Sequence, residues 1–138
     1  MLTPKKISHR KMHRFDSNIK QKRTSNIIRG NFGLKTLSCS RLTSQQLDSA
    51  QKTMRKKMHR FGKILLRISP NLSITEKPSD VRMGKGKGNI THWCYPIKVG
   101  QIIFEFQGVS RHIAREVSRL CTSKLSVKTK FILTKQKN

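Results

Sequence analysis

The sequence predicts an α+β fold: two helices packed on a mixed or antiparallel sheet, with a basic N-terminal extension and a long Gly/Lys loop. Two stretches carry apolar residues at three- and four-residue steps, one opening near Ser44 and one after Ser110. Strand-like alternation flanks both of them. Glycine and proline punctuate the boundaries at Gly62, Pro70, Gly100 and Gly108.

Residues 1–30 are basic, polar and aperiodic, so they cannot bury enough surface to fold alone and are expected to become ordered on a partner. Residues 31–138 are expected to form a single domain, with a loop at 70–89. In "NFGLKTLS", Phe32, Leu34 and Leu37 mark a short strand. A helix is expected over 44–61. Thr43 is placed to cap it, Gln46 to complete a capping box, and Leu42 and Leu47 to form a hydrophobic staple. Leu47, Ala50, Met54, Met58 and Phe61 form its apolar face, while Lys52, Arg55, Lys56 and Arg60 point away and Gly62 stops it. "KILLRIS", 63–69, reads as a strand ended by Pro70. "ITHWCYPIKV" and "QIIFEFQ" are expected to be two strands of a hairpin turning near Gly100. The second helix turns Ile113, Val117, Leu120 and Cys121 inward and Arg111, Arg115 and Arg119 outward. "SVKTKFIL" supplies a last strand, with Val127, Thr129, Phe131 and Leu133 on one side.

Charge sets the class of partner. Lys and Arg total 31 against six Asp and Glu, a formal +25 in 138 residues. Such self-repulsion calls for a polyanion to offset it. The basic residues run along the whole chain, so most surfaces of any fold are positive. No apolar run reaches the roughly 18 residues of a spanning helix. Cys39, Cys94 and Cys121 are odd in number and widely spaced, which gives neither a disulfide framework nor paired metal ligands and reads as reduced thiols.

The most distinctive stretch is "RMGKGKGN": Arg82, Met83, Gly84, Lys85, Gly86, Lys87, Gly88 and Asn89. A nucleotide-cradling loop needs Ser or Thr after its lysine, or a third glycine where Asn89 stands, and in either case a following helix. A strand follows here, so nucleotide binding is disfavoured. A flexible solvated loop is the plain alternative. The global charge favours a third reading, in which absent side chains let the backbone approach a nucleic acid while Arg82, Lys85 and Lys87 face phosphates.

Catalysis and metal binding have little to draw on. Glu76 and Asp80 stand beside Lys77 and Arg82 and read as solvated ion pairs. The five histidines include no helical pair flanking a glutamate, and His92 with Cys94 lacks a second ligand pair. No enzyme activity and no cofactor is expected. His9 and His13 accompany Lys5, Lys6, Arg10, Lys11 and Arg14 in what reads as an RNA-contacting arm, a solvated tail being the alternative. Trp93 and Tyr95 share a strand face and are assigned to the core ahead of base stacking, because the chain has few aromatics. Lys35, Arg41, Arg55, Lys56, Arg60 and Lys77 complete the set of candidate RNA contacts.

In order, "MLTPKKISHRKMHR", "FGLK", "RLT", "GKI", "ITEKP", "VRMGKGKGN" with Trp93 soon after, "GV" at 108–109, "AREV" at 114–117 and "KTKF" ending at Phe131 resemble a known family. It is the bacterial and organellar large-subunit ribosomal protein sixteen family, and the resemblance spans essentially the whole chain. It implies a structural RNA-binding protein with an α/β-hammerhead-like fold, lying on large-subunit rRNA near the aminoacyl-tRNA site beside neighbouring ribosomal proteins. The arm and the loop at 82–89 would approach the functional centre and help position tRNA. Between Phe15 and Arg29 the chain is poorer in glycine than the family tends to be. Its serine, lysine and isoleucine bias points to an A+T-rich genome, and a mitochondrial, organelle-encoded member is expected, with plastid or bacterial cytoplasm as alternatives. The rival function is a non-ribosomal regulatory or architectural nucleic-acid-binding protein.

Overall fold

A computed structural model describes residues 2–4, 6–7, 9–13, 26–59 and 61–134. The expectations for Lys5, Arg14 and Arg60 and for residues 14–25 therefore lie outside the described residues. The chain forms β1 (Phe32–Thr36), β2 (Ser40–Thr43), α1 (Ser44–Lys57), β3 (Lys63–Leu66), β4 (Leu72–Glu76), β5 (Asn89–Ile97), β6 (Ile102–Gln107), α2 (Arg111–Thr122) and β7 (Thr129–Leu133). The two helices and antiparallel strands match the expected α+β class. The strands, however, build two sheets, ordered β3-β6-β1-β7 and β2-β5-β4.

The expected hairpin of the β5 and β6 segments does not form. β5 pairs with β2 and β4, whereas β6 pairs with β1 and β3. β6 is buried on both faces, from Ile102 to Phe106 with Glu105 among them, so it takes an interior position in the larger sheet. The corner between the sheets is pinned by Thr36, whose hydroxyl donates to the Lys98 carbonyl at 2.7 Å and accepts from the Gln101 amide at 3.2 Å. Two strands not expected from the sequence, β2 and β4, complete the smaller sheet. β4 lies inside the connection expected to be irregular.

α1 begins as its sequence dictates. The Thr43 hydroxyl accepts from the Gln46 amide at 3.2 Å, and the Gln46 side chain accepts from the Thr43 amide at 3.1 Å. Leu42 and Leu47 are both fully buried, consistent with the staple. The helix ends earlier than expected: Met58 caps it and His59 takes a left-handed φ of 47°. Leu47, Ala50, Met54 and Met58 enter the core, but Phe61, three residues past the cap, is 86% exposed. α2 is rotated relative to expectation. Ala114, Val117, Ser118 and Cys121 face inward, while Ile113 is 37% exposed; the small Ala114 and Ser118 suit the close face against its neighbours.

The core joins these helix faces to Phe32, Leu34, Phe104 and Phe106 of the larger sheet, and Phe131 stacks on Phe32 at 5.7 Å between ring centroids. The far side of that sheet holds a charge. Glu105 is fully buried, its carboxylate accepting from the amides of Ile28, Arg29 and Gly30 and ion-paired with Arg67. Burial alone would raise this carboxyl. The Arg29 and Ile28 amides and the Arg67 guanidinium outweigh burial and hold it below the ordinary glutamate range.

Candidate nucleic-acid interface

Strands β4 and β5 are the stem from which residues 77–88 project. Glu76 pairs with Asn89 at its end, and Gly88 fits against the Glu76 backbone, where a Cβ would fall 2.5 Å from the Glu76 carbonyl oxygen. A Cβ on Gly84 or Gly86 would meet no atom within 4 Å, yet both adopt left-handed φ, 90° and 85°, with Lys85 between them at 54°. One glycine is thus required by stem closure and two by the curvature of the tip. Lys77 draws the loop in by donating to the Gly84 carbonyl. Arg82, Met83, Lys85 and Lys87 are exposed, Met83 at 98%.

The N-terminal arm lies across this stem. The Lys11 ammonium donates to the Lys87 carbonyl at 2.7 Å, and the Lys87 ammonium donates to the Met12 carbonyl at 2.6 Å. The Ser73 hydroxyl donates to the Arg10 carbonyl at 2.7 Å. Met12, His13, Arg41, Ser73, Thr75 and Lys87 line one cleft of about 190 Å³. Arg10, Lys11, Asn89 and Ile90 line a second of about 360 Å³. The structure therefore brings together Arg10, Lys11, His13, Arg41, Lys87 and Asn89, residues far apart in sequence. Lys6 is exposed on the same arm.

Other candidates stand elsewhere. Arg55 and Lys56 are exposed at the C-terminal end of α1, and Lys35 sits on β1 opposite Lys130. Ser73 and Thr75 are not among the expected contacts because β4 falls in the connection expected to be irregular; the alternation of Leu72 and Ile74 is the signal that marks it as a strand. Tyr95 packs against the core and its hydroxyl accepts from the Gln101 side chain at 2.8 Å. Cys94 and Cys121 are buried, and burial pushes the Cys121 thiol up to about 12. Among the described residues no group of His, Cys, Asp or Glu is arranged to hold a metal ion, and no helix is long and apolar enough to cross a membrane.

Fold and surface together define a small, strongly cationic α+β protein whose arm and hairpin loop meet. Residues 4–132 match the family described as Ribosomal protein L16p/L10e. The chain is 42% identical over 132 residues to the large ribosomal subunit protein uL16 of Halorhodospira halophila, covering 96% of each. It is 42% identical to the uL16 of Psychrobacter arcticus and 40% identical to that of Borrelia garinii, again with 96% of each chain covered. The chain belongs to the L16p/L10e ribosomal protein family.

Proposed function

We propose that this protein is a structural constituent of the large ribosomal subunit that binds its rRNA near the aminoacyl-tRNA site and helps to position tRNA. Family membership supports the ribosomal role over a free regulatory or architectural one, and the family is one of structural proteins, not enzymes. The observation that carries the finer reading is the pair of lysine-to-carbonyl bonds that cross between arm and loop, Lys11 to the Lys87 carbonyl and Lys87 to the Met12 carbonyl. It makes the arm and the loop one surface, so that Arg10, His13, Arg41 and the tip at 82–86 act on RNA together.

The mechanism is positioning by charge. Phosphate contacts fix register and orientation without reading bases, and the exposed Arg82, Lys85 and Lys87 suit the backbone of a tRNA or an rRNA strand. Residues 1–30 form a basic extension that is ordered on RNA, with 31–138 as the domain that holds it in place. Lys5, Lys6, Arg14, Lys35, Arg55, Lys56, Arg60 and Lys77 add rRNA contacts, and neighbouring ribosomal proteins flank the domain.

Replacing Lys85 and Lys87 by Ala tests this reading. The expected result is slower tRNA accommodation with subunit assembly little changed, and an unaltered accommodation rate would contradict it. Retention on the large particle through a moderate salt wash separates the ribosomal role from the free one. The relatives are bacterial, so the ribosome is of bacterial type. The mitochondrial matrix is the finer assignment, resting on the serine, lysine and isoleucine bias of the sequence; a nuclear or bacterial chromosomal gene would overturn it.

A further inference from the structure

At the C-terminal end of α1 two cavities adjoin, away from the arm and the loop. The larger, about 800 Å³, is lined by Lys52, Arg55, Lys56, His59 and Gly62. The smaller, about 440 Å³, shares Arg55 and Gly62 and adds Arg29, Lys63 and Gln107 among its walls. Glu105 also borders the smaller cavity, but its carboxylate is committed to Arg67 and to three backbone amides. No ion pair among the described residues engages Lys52, Arg55, Lys56 or Lys63.

The turn that closes α1 leaves an aromatic residue, Phe61, exposed next in the chain to this cationic wall. His59 turns the chain with its left-handed φ, the Phe61 amide donates to the Met58 carbonyl at 3.0 Å, and Gly62 presses on β6. A Cβ on Gly62 would fall 3.1 Å from the Gln107 carbonyl oxygen and 1.9 Å from the end of Met58. Phe61 directly precedes Gly62, which lines both cavities, and is 86% exposed. An apolar protein surface docked on Phe61 would have to desolvate the surrounding cations without pairing them. A nucleic acid supplies both partners, a base face for the ring and phosphates for the cations. Bases inside a continuous duplex offer no free face, so the fitting occupant is unpaired.

We propose that this cleft receives an unpaired RNA nucleotide, its base stacked on Phe61 and its flanking phosphates held by Lys52, Arg55 and Lys56. This rests on the RNA-binding reading above and adds a site that the arm and loop do not use.

The test compares the full chain on two probes at one salt concentration: an RNA hairpin with a single bulged adenosine, and the same hairpin fully paired. Phe61→Leu is expected to weaken binding of the bulged hairpin about tenfold and to leave the paired one unchanged, with Phe61→Trp retaining affinity. Arg55→Gln with Lys56→Gln is expected to weaken both and to lower the salt slope by about two. Because Phe61 is exposed, these variants should melt like the parent chain. An unchanged affinity of Phe61→Leu for the bulged hairpin, or an equal loss on both, overturns the site alone. Failure of the parent chain to bind either hairpin overturns the RNA-binding reading with it. A photo-cross-linker at position 61 in the assembled large subunit is expected to capture a nucleotide, and capture of a neighbouring protein instead overturns the proposal.

Discussion

Glu105 shows what a single buried charge does in a chain so rich in cations. Its folded pKa is depressed, so its contribution to stability is complete above the unfolded glutamate value of about 4.3 and is lost as pH falls through the folded value. Glu105→Gln should cost about 3 kcal/mol near neutral pH, because it leaves Arg67 without its counter-charge, and should flatten the acid limb of stability below about pH 4. Thermal melts of both proteins across pH 2.5–7, a range of about the width needed to span that transition, check the sign. Gly88 offers a second test. Gly88→Ala should destabilise the base of the loop by about 1–3 kcal/mol, since the Glu76 backbone must move. Faster hydrogen exchange at residues 76–89 would report it. Alkylation of the native protein should label Cys39 well before the buried Cys94 and Cys121. The sequence revealed that glycines mattered in "GKGKG" without separating their roles, because the Gly88 contact is made by a backbone twelve residues away.

Among the elements, those defined by local rules were the most legible. The start of α1 follows from Thr43, Gln46, Leu42 and Leu47, all within six residues of one another. Its end was misread because Met58 and Phe61 keep helical spacing, whereas His59 breaks the helix by a backbone angle that spacing does not encode. The same error concealed Phe61 as a surface aromatic. Strand partners were the least legible. β5 and β6 are joined by a short turn and resemble a hairpin, and only the two-faced burial of β6 with the Thr36 anchor separates them into different sheets. The arm illustrates the same limit, since its contacts to the loop span some 75 residues. Lys11→Ala should therefore loosen the loop as well as the arm. Protease protection or hydrogen-exchange protection at residues 84–88 in the free protein is expected to fall, and unchanged protection would show that the two move independently.

For the whole molecule, charge governs. A formal +25 on 138 residues places cations on α1, on the outer face of α2 at Arg111, Arg115 and Arg119, on the arm and on the loop. With six to ten phosphates neutralised, affinity for RNA should fall by about three to five orders of magnitude between 50 and 200 mM salt. A shallow dependence would mean that far fewer cations meet phosphate. Composition made the partner class legible at once, and the long family resemblance made the ribosome the expected setting. The juxtaposition of arm, β4 and loop required the fold. The most direct measurement is an electron cryo-microscopy map of the large subunit carrying this chain with tRNA in the aminoacyl site. The account predicts RNA backbone against Arg10, Lys11, Arg82, Lys85 and Lys87, and a loop tip facing solvent or protein alone would contradict it.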